Sequence, residues 1–449
     1  MRSDESRIGE RERDCGPGQS GGSELYFVAS DLNPPRTTSH SSNKMGKEAL
    51  TEATNKGGAP KGGKATVEQT YQKLTQHQHI LQRPDTYIGS IEKQTAEMFV
   101  MDPLTNRMVN KSIQYVPGLY KIFDEIVVNA ADNKQRDNNM NELKIEINRE
   151  KGQLSVYNNG RGIPVMMHKE HKIYVPELIF GHLLAGSNFD DDQKKTTGGR
   201  NGYGAKLANI FSSEFIVETA DADEGKVFKQ VFQENMVKVG KPKITAKATE
   251  GWTKITWTPD WPKFGMDGMD DDIIALFTRR AYDMAGCTHQ SVKVYLNGKK
   301  LPANKFADYV DLYLGPKVGG SPRCSEKVGD RWEVSVAPSD DGFQQVSFVN
   351  SIATTKGGTH VSHVADQVVE KVLEFMKKKH KGMEKSLKPA HVKAHMKVCS
   401  NQQQHTHTHA FPNPHSLAHS SLKTSLPGLR QLPHREPGLR LPDEGVHDP

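Results

Sequence analysis

A glycine-rich loop at residues 196–206 has the composition of a phosphate-binding segment. Four glycines lie within seven of its residues, at positions 198, 199, 202 and 204, and Lys206 follows them. Glycine lets the backbone approach a ligand closely, and successive N–H groups in such a loop form a concave anion site. No Gly-Lys-Ser/Thr sequence is present, so the loop is not a Walker A motif. It predicts a cover over a nucleoside triphosphate, with a flexible glycine linker as the alternative.

Glu125 and Asn129 lie four residues apart in a segment, 119–136, whose apolar residues follow the 3.6-residue period of a helix. Residues at this spacing are neighbours on a helix surface. An amide oxygen such as that of Asn129 can complete the coordination of Mg²⁺ while phosphates and water supply the rest. A carboxylate one turn away, such as that of Glu125, can deprotonate an attacking water. The pair has chemistry that fits ATP hydrolysis when combined with a phosphate-binding loop, although either residue alone would be an ordinary solvated helix residue.

A third candidate is the Asn-x-Gly-x-Gly pattern of Asn158, Gly160 and Gly162, which follows a predicted strand. On its own this pattern would be an ordinary turn. Together with the helix and the loop, it favours a nucleotide site. In that site the N–H groups of the loop and the ammonium of Lys206 stabilise charge on the γ-phosphate.

The elements that must position these residues divide the chain into four parts. Residues 1–65 and 400–449 are polar or rich in glycine and proline, and we expect disorder or low complexity there. Residues 66–302 mix hairpin strands with helices, which indicates an α/β sandwich with helices on one face, and residues 303–399 form a second module. The predicted helices are 66–82, 119–136, 175–185, 270–285 and one that opens near residue 360; the predicted strands are 143–147, 153–157, 215–219, 227–232, 252–258, 292–296, 331–336 and 343–349.

The overall composition excludes several classes of protein. The four cysteines lie far apart without a Cys-x-x-Cys pair, which argues against a disulfide scaffold or a zinc cluster. No run of about 18 apolar residues predicts a membrane span, and the N-terminus has no hydrophobic signal core. The net charge of +6 is compatible with a nucleic-acid partner but is weak evidence for one.

Several longer stretches resemble a known family. They are residues 83–90, 116–125, 129–137, 197–206 and 342–358. Over residues 66–399 the chain resembles the N-terminal ATPase region of eukaryotic DNA topoisomerase II, a type IIA topoisomerase of the GHKL ATPase superfamily. The resemblance implies an α/β fold with a GHKL (Bergerat-type) two-layer ATPase sandwich at 66–302. It implies that an incomplete α+β transducer domain follows at 303–399.

The resemblance also implies roles for individual residues. Glu125 resembles the general base, Asn129 the Mg²⁺ ligand, and Asn158 the adenine contact. Asn133 and Arg136 match positions near the phosphates, and Ser187 and Asn188 match a contact on the ribose side. The family's lid matches residues 199–206, which are Gly199, Arg200, Asn201, Gly202, Tyr203, Gly204, Ala205 and Lys206. Tyr71 matches a residue that reaches the nucleotide of the partner subunit, and Lys377, Lys378 and Lys379 match a DNA-facing surface.

The same resemblance implies ligands, macromolecular partners and a cellular location for the chain. It implies that ATP and Mg²⁺ bind, that double-stranded DNA is a partner, and that ATP closes a homodimer through an arm carrying Tyr71. It implies a nuclear location and no membrane association. The Gly357-Gly358-Thr359-His360 signature and the basic helix after it argue against another GHKL ATPase, such as a heat-shock chaperone or a mismatch-repair protein.

The chain departs from the family pattern in two places. Gly186 stands where relatives have serine, and the resemblance stops near Cys399, with no Gln-Thr-Lys sequence after it. The cleavage domains of the family are also absent, so we expect a truncated isoform or an incomplete gene model. Such a chain would be at most a weak ATPase that retains part of its nucleotide binding and cannot cleave DNA. The alternative is a non-catalytic protein that dimerises with full-length topoisomerase II and modulates it.

Overall fold

The computed structural model describes residues 73–183, 185, 202–329, 331–379 and 387–403. Their strands form a two-stranded hairpin, a nine-stranded sheet and a five-stranded sheet. The hairpin contains β1 (Gln94–Asp102) and β2 (Arg107–Tyr115); the nine-stranded sheet contains β3 (Glu142–Asn148), β4 (Gln153–Asn159), β5 (Ser212–Asp221), β6 (Lys226–Gln233), β7 (Lys238–Val239), β8 (Lys243–Ala246), β9 (Trp252–Pro259), β10 (Lys293–Leu296) and β11 (Lys299–Lys300); the five-stranded sheet contains β12 (Cys324–Val328), β13 (Trp332–Pro338), β14 (Gln344–Val349), β15 (Ile352–Ala353) and β16 (Met396–Gln402).

Helices cover both sheets. They are α1 (Gln76–Gln82), α2 (Pro84–Tyr87), α3 (Pro117–Arg136), α4 (Val175–Gly181), α5 (Gly204–Ile210), α6 (Asp271–Cys287), α7 (Phe306–Leu314), α8 (Thr359–Lys379) and α9 (Pro389–Ala394). Among the described residues, no helix is both long and apolar enough to cross a bilayer.

The nine-stranded sheet has the order β11-β10-β3-β4-β9-β5-β6-β7, and β8 also pairs with β6. Its pairs are antiparallel except for β10 with β3. Helix α3 lies over this sheet. The ring of Phe123 packs 6.2 Å from that of Trp257 on β9 and 4.2 Å from that of Phe277 on α6. These contacts bury the apolar stripe of α3 and form the two-layer α/β arrangement that the sequence pattern predicted.

The five-stranded sheet of the second domain has the order β12-β13-β16-β14-β15. On one face Val361 and Val364 of α8 join a buried cluster with Trp332 and Val398. The opposite face meets α7, where the rings of Tyr309 and Phe348 pack 5.6 Å apart. Because β16 is the central strand, the fold of this domain depends on residues 396–402.

Three sequence predictions need correction. Among the described residues, the helix predicted over 66–82 begins at Gln76, since residues 73–75 are not helical and Thr75 caps the helix by accepting a hydrogen bond from Gln78 N–H. Helix α4 ends at Gly181, short of the predicted residue 185. The spacing of Val361, Val364, Val368, Val372 and Phe375 predicts one apolar face on α8, but Phe375 is 51% exposed. Predicted elements before residue 73 lie outside the described residues.

The hairpin β1–β2 was not predicted by any sequence pattern. Most of β2 is exposed, so its residues do not show the alternation of apolar and polar side chains that identifies a half-buried strand. The hairpin packs against α6 and α7. Its position is therefore decided by tertiary contacts rather than by its own sequence period.

Candidate functional site

Helix α3 carries the predicted base. The Glu125 carboxylate forms an ion pair with Lys121 one turn earlier, and its side chain is 22% exposed. It also lies against the first residue of α5, Gly204, where an added Cβ would stand 2.0 Å from Glu125 Oε2. Only glycine permits this approach. The start of α5, which is part of the lid, is therefore in direct contact with the carboxylate.

Asn129 lies one turn after Glu125 and is partly exposed. Its side chain forms no hydrogen bond with another described residue. The described part of the chain has no group of three or more His, Cys, Asp or Glu positioned to hold a metal ion. A single amide oxygen suits Mg²⁺ in a nucleotide site, because Mg²⁺ takes most of its ligands from phosphates and water there.

The end of α3 is joined to the turn at residues 158–162. Asn133 Nδ2 donates to the carbonyls of Asn159, at 3.4 Å, and Arg161, at 3.3 Å. Asp137, which caps α3, accepts a 2.7 Å bond from Arg161 N–H. Arg136, the last residue of the helix, is exposed. The structure thus brings together the α3 residues and the Asn-x-Gly-x-Gly turn, which are separated in sequence.

Asn158 is 4% exposed and donates from Nδ2 to the Asn159 carbonyl at 3.0 Å. The sheet register places Thr253 of β9 directly opposite it, and the Thr253 hydroxyl is 3.0 Å from that of Thr219. At Gly162 a Cβ would stand 1.7 Å from the Ala220 carbonyl, so glycine is required for this packing. Neither threonine was identified from the sequence. Each is a polar residue on a strand near Asn158: Thr253 is on β9, which pairs with β4, and Thr219 is on β5, which pairs with β9.

Lys206 is 2% exposed. Its ammonium donates to the carbonyl of Ala185 and, at 2.6 Å, to that of Gly202. Burial lowers the pKa of Lys206 to about 8. The lid lysine is thus held by two backbone carbonyls.

The lid also contacts α1. The hydroxyl of Tyr203 accepts a 2.7 Å bond from Gln76 Nε2, and its ring lies 6.5 Å from that of Tyr87. Ala205 follows within α5. The first described helix therefore rests on the lid.

The other predicted site residues divide into two groups. Lys377, Lys378 and Lys379 are exposed at the C-terminal end of α8, in the second domain, with Lys379 Nζ 5.3 Å from the Phe375 ring centroid. The predicted site residues that lie outside the described part of the chain are Tyr71, Ser187, Asn188, Gly199, Arg200 and Asn201.

Two family models match the chain. The model "Histidine kinase-, DNA gyrase B-, and HSP90-like ATPase" matches residues 115–262. The model "DNA gyrase B" matches residues 295–406. The first range contains Glu125, Asn129, Asn158 and the lid, and the second contains the five-stranded sheet.

Relatives were found among curated proteins and solved structures. DNA topoisomerase 2 of Arabidopsis thaliana is 54% identical over 358 residues, which cover 78% of this chain and 24% of the relative. That of Bombyx mori is 57% identical over 346 residues, covering 75% and 22%. The chain thus spans less than a quarter of the length of these two relatives. The crystal structure of the ATPase region of Saccharomyces cerevisiae topoisomerase II has a TM-score of 0.70 at 47% identity, covering 76% of this chain and 87% of that one. The crystal structure of the ATPase and transducer domains of DNA topoisomerase II from Balamuthia mandrillaris has a TM-score of 0.71 at 46% identity, covering 76% of this chain and 86% of that one.

Proposed function

Because the chain belongs to the ATPase and transducer region of the DNA topoisomerase II family, we propose that it binds Mg²⁺-ATP between α3, the 158–162 turn and the lid. We further propose that Glu125 is the general base of ATP hydrolysis. The observation that carries this proposal is the contact between the Glu125 carboxylate and Gly204 of the lid. It joins the residue suited to proton transfer to the segment suited to phosphate binding.

Each part of the site has a separate task in this proposal. Asn158, buried at the end of β4, recognises the adenine edge, and Thr253 lies beside it across the sheet. Ser187 and Asn188 contact the ribose. Asn133 and Arg136, at the end of α3, lie near the phosphates.

The lid stabilises the charge of the triphosphate. The N–H groups of its glycine-rich backbone and the ammonium of Lys206 suit an anionic oxygen. In the free chain Lys206 donates to two carbonyls, so its engagement with phosphate requires an exchange of those bonds. Gly199, Arg200, Asn201, Gly202, Tyr203, Gly204 and Ala205 supply the remainder of this cover.

Hydrolysis requires a proton acceptor next to the attacking water. The Glu125 carboxylate takes the proton as the water oxygen bonds to the γ-phosphorus, and the bond from that phosphorus to the β–γ bridging oxygen breaks, releasing ADP. Mg²⁺, when bound through Asn129 and the phosphates, neutralises charge on the phosphate oxygens. Lys121 holds the carboxylate in place through its ion pair.

Further proposals concern the partners. We propose that Lys377, Lys378 and Lys379 bind the phosphates of double-stranded DNA, and that an arm carrying Tyr71 reaches the nucleotide of a second subunit in an ATP-closed dimer. We also propose a nuclear location, where that DNA lies. A chain that sediments as a monomer with a non-hydrolysable ATP analogue would contradict the dimer, and a fluorescent fusion confined to the cytoplasm would contradict the location.

Calorimetric titration with a non-hydrolysable ATP analogue and Mg²⁺ tests the binding site. The chain should bind one analogue, and Asn129→Ala and Asn158→Ala should each weaken binding by about tenfold or more, the loss of one hydrogen bond to a charged or buried group. Asn110→Ala, at an exposed position of β2, is the control and should leave affinity unchanged. No binding by the wild-type chain, or equal binding by all variants, would refute the proposal.

A further inference from the structure

The residue before the proposed base is anchored on another side of α3. Asp124 Oδ1 accepts a 2.5 Å hydrogen bond from Arg280 Nε on α6. The Arg280 side chain is fully buried, and that of Asp124 is 13% exposed. Successive residues of a helix project about 100° apart. Fixing the direction of Asp124 therefore fixes the rotation of α3 about its axis, and with it the direction of Glu125.

The same guanidinium reaches the second domain. Arg280 Nη2 donates to the carbonyl of Ser351 at 2.7 Å. Ser351 lies in the two-residue turn between β14 and β15, where Val349 pairs with Ile352. Asn350 has a φ of 50° and Ser351 a φ of 63°, the left-handed region that such tight hairpin turns require but that serine seldom adopts. The bond from Arg280 thus holds a turn whose backbone conformation is costly.

Buried polar side chains surround the Arg280 guanidinium. Asp283 Oδ2 lies 4.0 Å from Nη1, and Asp283 Oδ1 accepts a 2.7 Å bond from the Tyr309 hydroxyl on α7. Nearby, Asn401 Nδ2 of β16 donates to the Cys287 carbonyl at 3.3 Å. Burial alone would lower the pKa of Arg280, but Asp124 and neighbouring groups raise it above its ordinary value. The guanidinium therefore stays protonated between the two domains.

We propose that Arg280 is a positioning residue that links the direction of the Glu125 carboxylate to the turn at residues 350–351. One planar guanidinium makes both bonds, so a displacement of the turn displaces Asp124, and a rotation of α3 displaces the turn. The inference rests on the proposed function, because it takes Glu125 as the base. A lysine at this position would keep the charge but lose the fork that reaches both acceptors.

The chain contains a matched control. Arg323 also joins a carboxylate and a backbone carbonyl, donating to Asp311 Oδ1 at 2.5 Å and to the Gly315 carbonyl at 2.7 Å. Its side chain is 6% exposed. Both of its acceptors lie on or next to α7, so this fork does not reach α3. Arg280→Lys and Arg323→Lys therefore remove the same kind of interaction, and only the first involves the helix of Glu125.

The test is single-turnover hydrolysis of Mg²⁺-ATP with the full chain in excess, for wild type, Arg280→Lys, Arg323→Lys, Asp124→Asn and Glu125→Gln. For Arg280→Lys the rate constant at saturation should fall by about tenfold or more, as for a small misplacement of a catalytic group. The half-saturating concentration should stay within about twofold of wild type, since ground-state binding is kept. Arg323→Lys should retain the wild-type rate, and Asp124→Asn, which keeps an acceptor but loses the charge, should be intermediate.

Hydrogen exchange gives a second readout that does not depend on turnover. Binding of a non-hydrolysable ATP analogue should slow exchange at residues 350–353 in wild type and in Arg323→Lys, but not in Arg280→Lys. Equal rates and equal exchange changes in the two arginine variants would overturn the inference. If Glu125→Gln hydrolyses ATP as wild type does, the proposed function fails and the inference with it. If only Glu125→Gln loses activity, the proposed function stands and the inference fails.

Discussion

Gly204 and Glu125 are in contact across 79 positions of the chain: a Cβ on Gly204 would stand 2.0 Å from Glu125 Oε2, 2.8 Å from its Cδ and 3.2 Å from its Cβ. The side chain of Glu125 therefore packs against the first residue of α5 from its Cβ to its carboxylate. Because α5 continues the lid, a movement of the lid changes the surroundings of the carboxylate directly. In the proposed mechanism, this contact couples nucleotide binding to water activation.

Gly204→Ala should slow hydrolysis. Alanine is intrinsically better than glycine in a helix by about 1 kcal/mol, but here its methyl group would overlap a carboxylate and must displace it or α5. A displacement of about 1 Å costs up to about 100-fold in rate. Single-turnover hydrolysis measures the effect.

The control for this substitution is Gly268→Ala. No atom lies within 4 Å of a Cβ at Gly268, so the variant should match wild type in rate. A wild-type rate for Gly204→Ala would show that the contact with Glu125 does not constrain the site.

Nucleotide affinity should decline above pH 8 because of Lys206. Burial lowers the pKa of Lys206 from 10.5 to about 8 in the free chain, and a bound phosphate favours its protonated form. Binding therefore takes up a proton above pH 8, and affinity falls by up to about tenfold per pH unit. Calorimetric titrations of the ATP analogue between pH 7 and 9.5 measure this slope.

Lys206→Gln should bind more weakly at pH 7 and show no such slope. In the wild-type chain, the lowered pKa of Lys206 changes folding stability with pH in the opposite direction to nucleotide affinity. Between pH 8 and 10.5 the unfolded chain keeps the proton that the folded chain has released, so stability rises with pH in that interval. The same pH dependence of affinity in wild type and Lys206→Gln would rule out this role for the lysine.

Gln402→Leu should stabilise the second domain. Gln402 is 1% exposed on the central strand β16, and neither its Nε2 nor its Oε1 has a hydrogen-bond partner among the described residues. Leaving such groups buried and unpaired costs about 1–3 kcal/mol, which a leucine of similar size avoids. Urea denaturation should show a higher midpoint for the variant.

Gln345→Leu, on the neighbouring strand β14, should have the opposite effect on the stability of the second domain. Gln345 Nε2 donates to the carbonyls of Thr354, at 3.1 Å, and Thr355, at 2.9 Å, so this substitution should lower stability. A decrease of similar size for Gln402→Leu would mean that the Gln402 side chain is paired in solution.

The basic end of α8 should contribute to DNA affinity. Changing Lys377, Lys378 and Lys379 to glutamine should weaken binding of a duplex and reduce the dependence of log K on log salt by about 0.9 for each phosphate that the variant no longer binds. Titration of a labelled duplex at several salt concentrations measures both. The same change at Lys241, Lys243 and Lys247, exposed on the first domain, is the control, and an equal effect of the two triple substitutions would contradict a specific DNA surface on α8.

The parts of this fold that could be predicted from the sequence are those in which burial follows a local period. The apolar residues of α3 recur at helical spacing, and the inward residues of β5 alternate. Helix α3 was therefore identified with nearly correct bounds, and β5 was identified at residues 215–219, the middle of the strand Ser212–Asp221. α7 was not predicted, although Phe306, Tyr309, Val310 and Tyr313 are all buried on it. Its nine residues are too few for periodicity to distinguish them from a buried strand.

The candidate site was only partly predictable for the same reason. Glu125, Asn129 and Asn158 belong to motifs in which spacing carries information. Arg280 meets Asp124 across 156 positions and Ser351 across 71, and no local pattern marks either contact. The register that places Thr253 opposite Asn158 is likewise a property of the sheet and not of one strand.

The role of Glu125 as the base is tested most directly by single-turnover hydrolysis of Mg²⁺-ATP by Glu125→Gln beside the wild-type chain. Glutamine keeps the size of the side chain but cannot accept the proton, so hydrolysis should fall by at least about 100-fold. Affinity for the ATP analogue should stay within about threefold. Hydrolysis by Glu125→Gln at the wild-type rate would contradict the account.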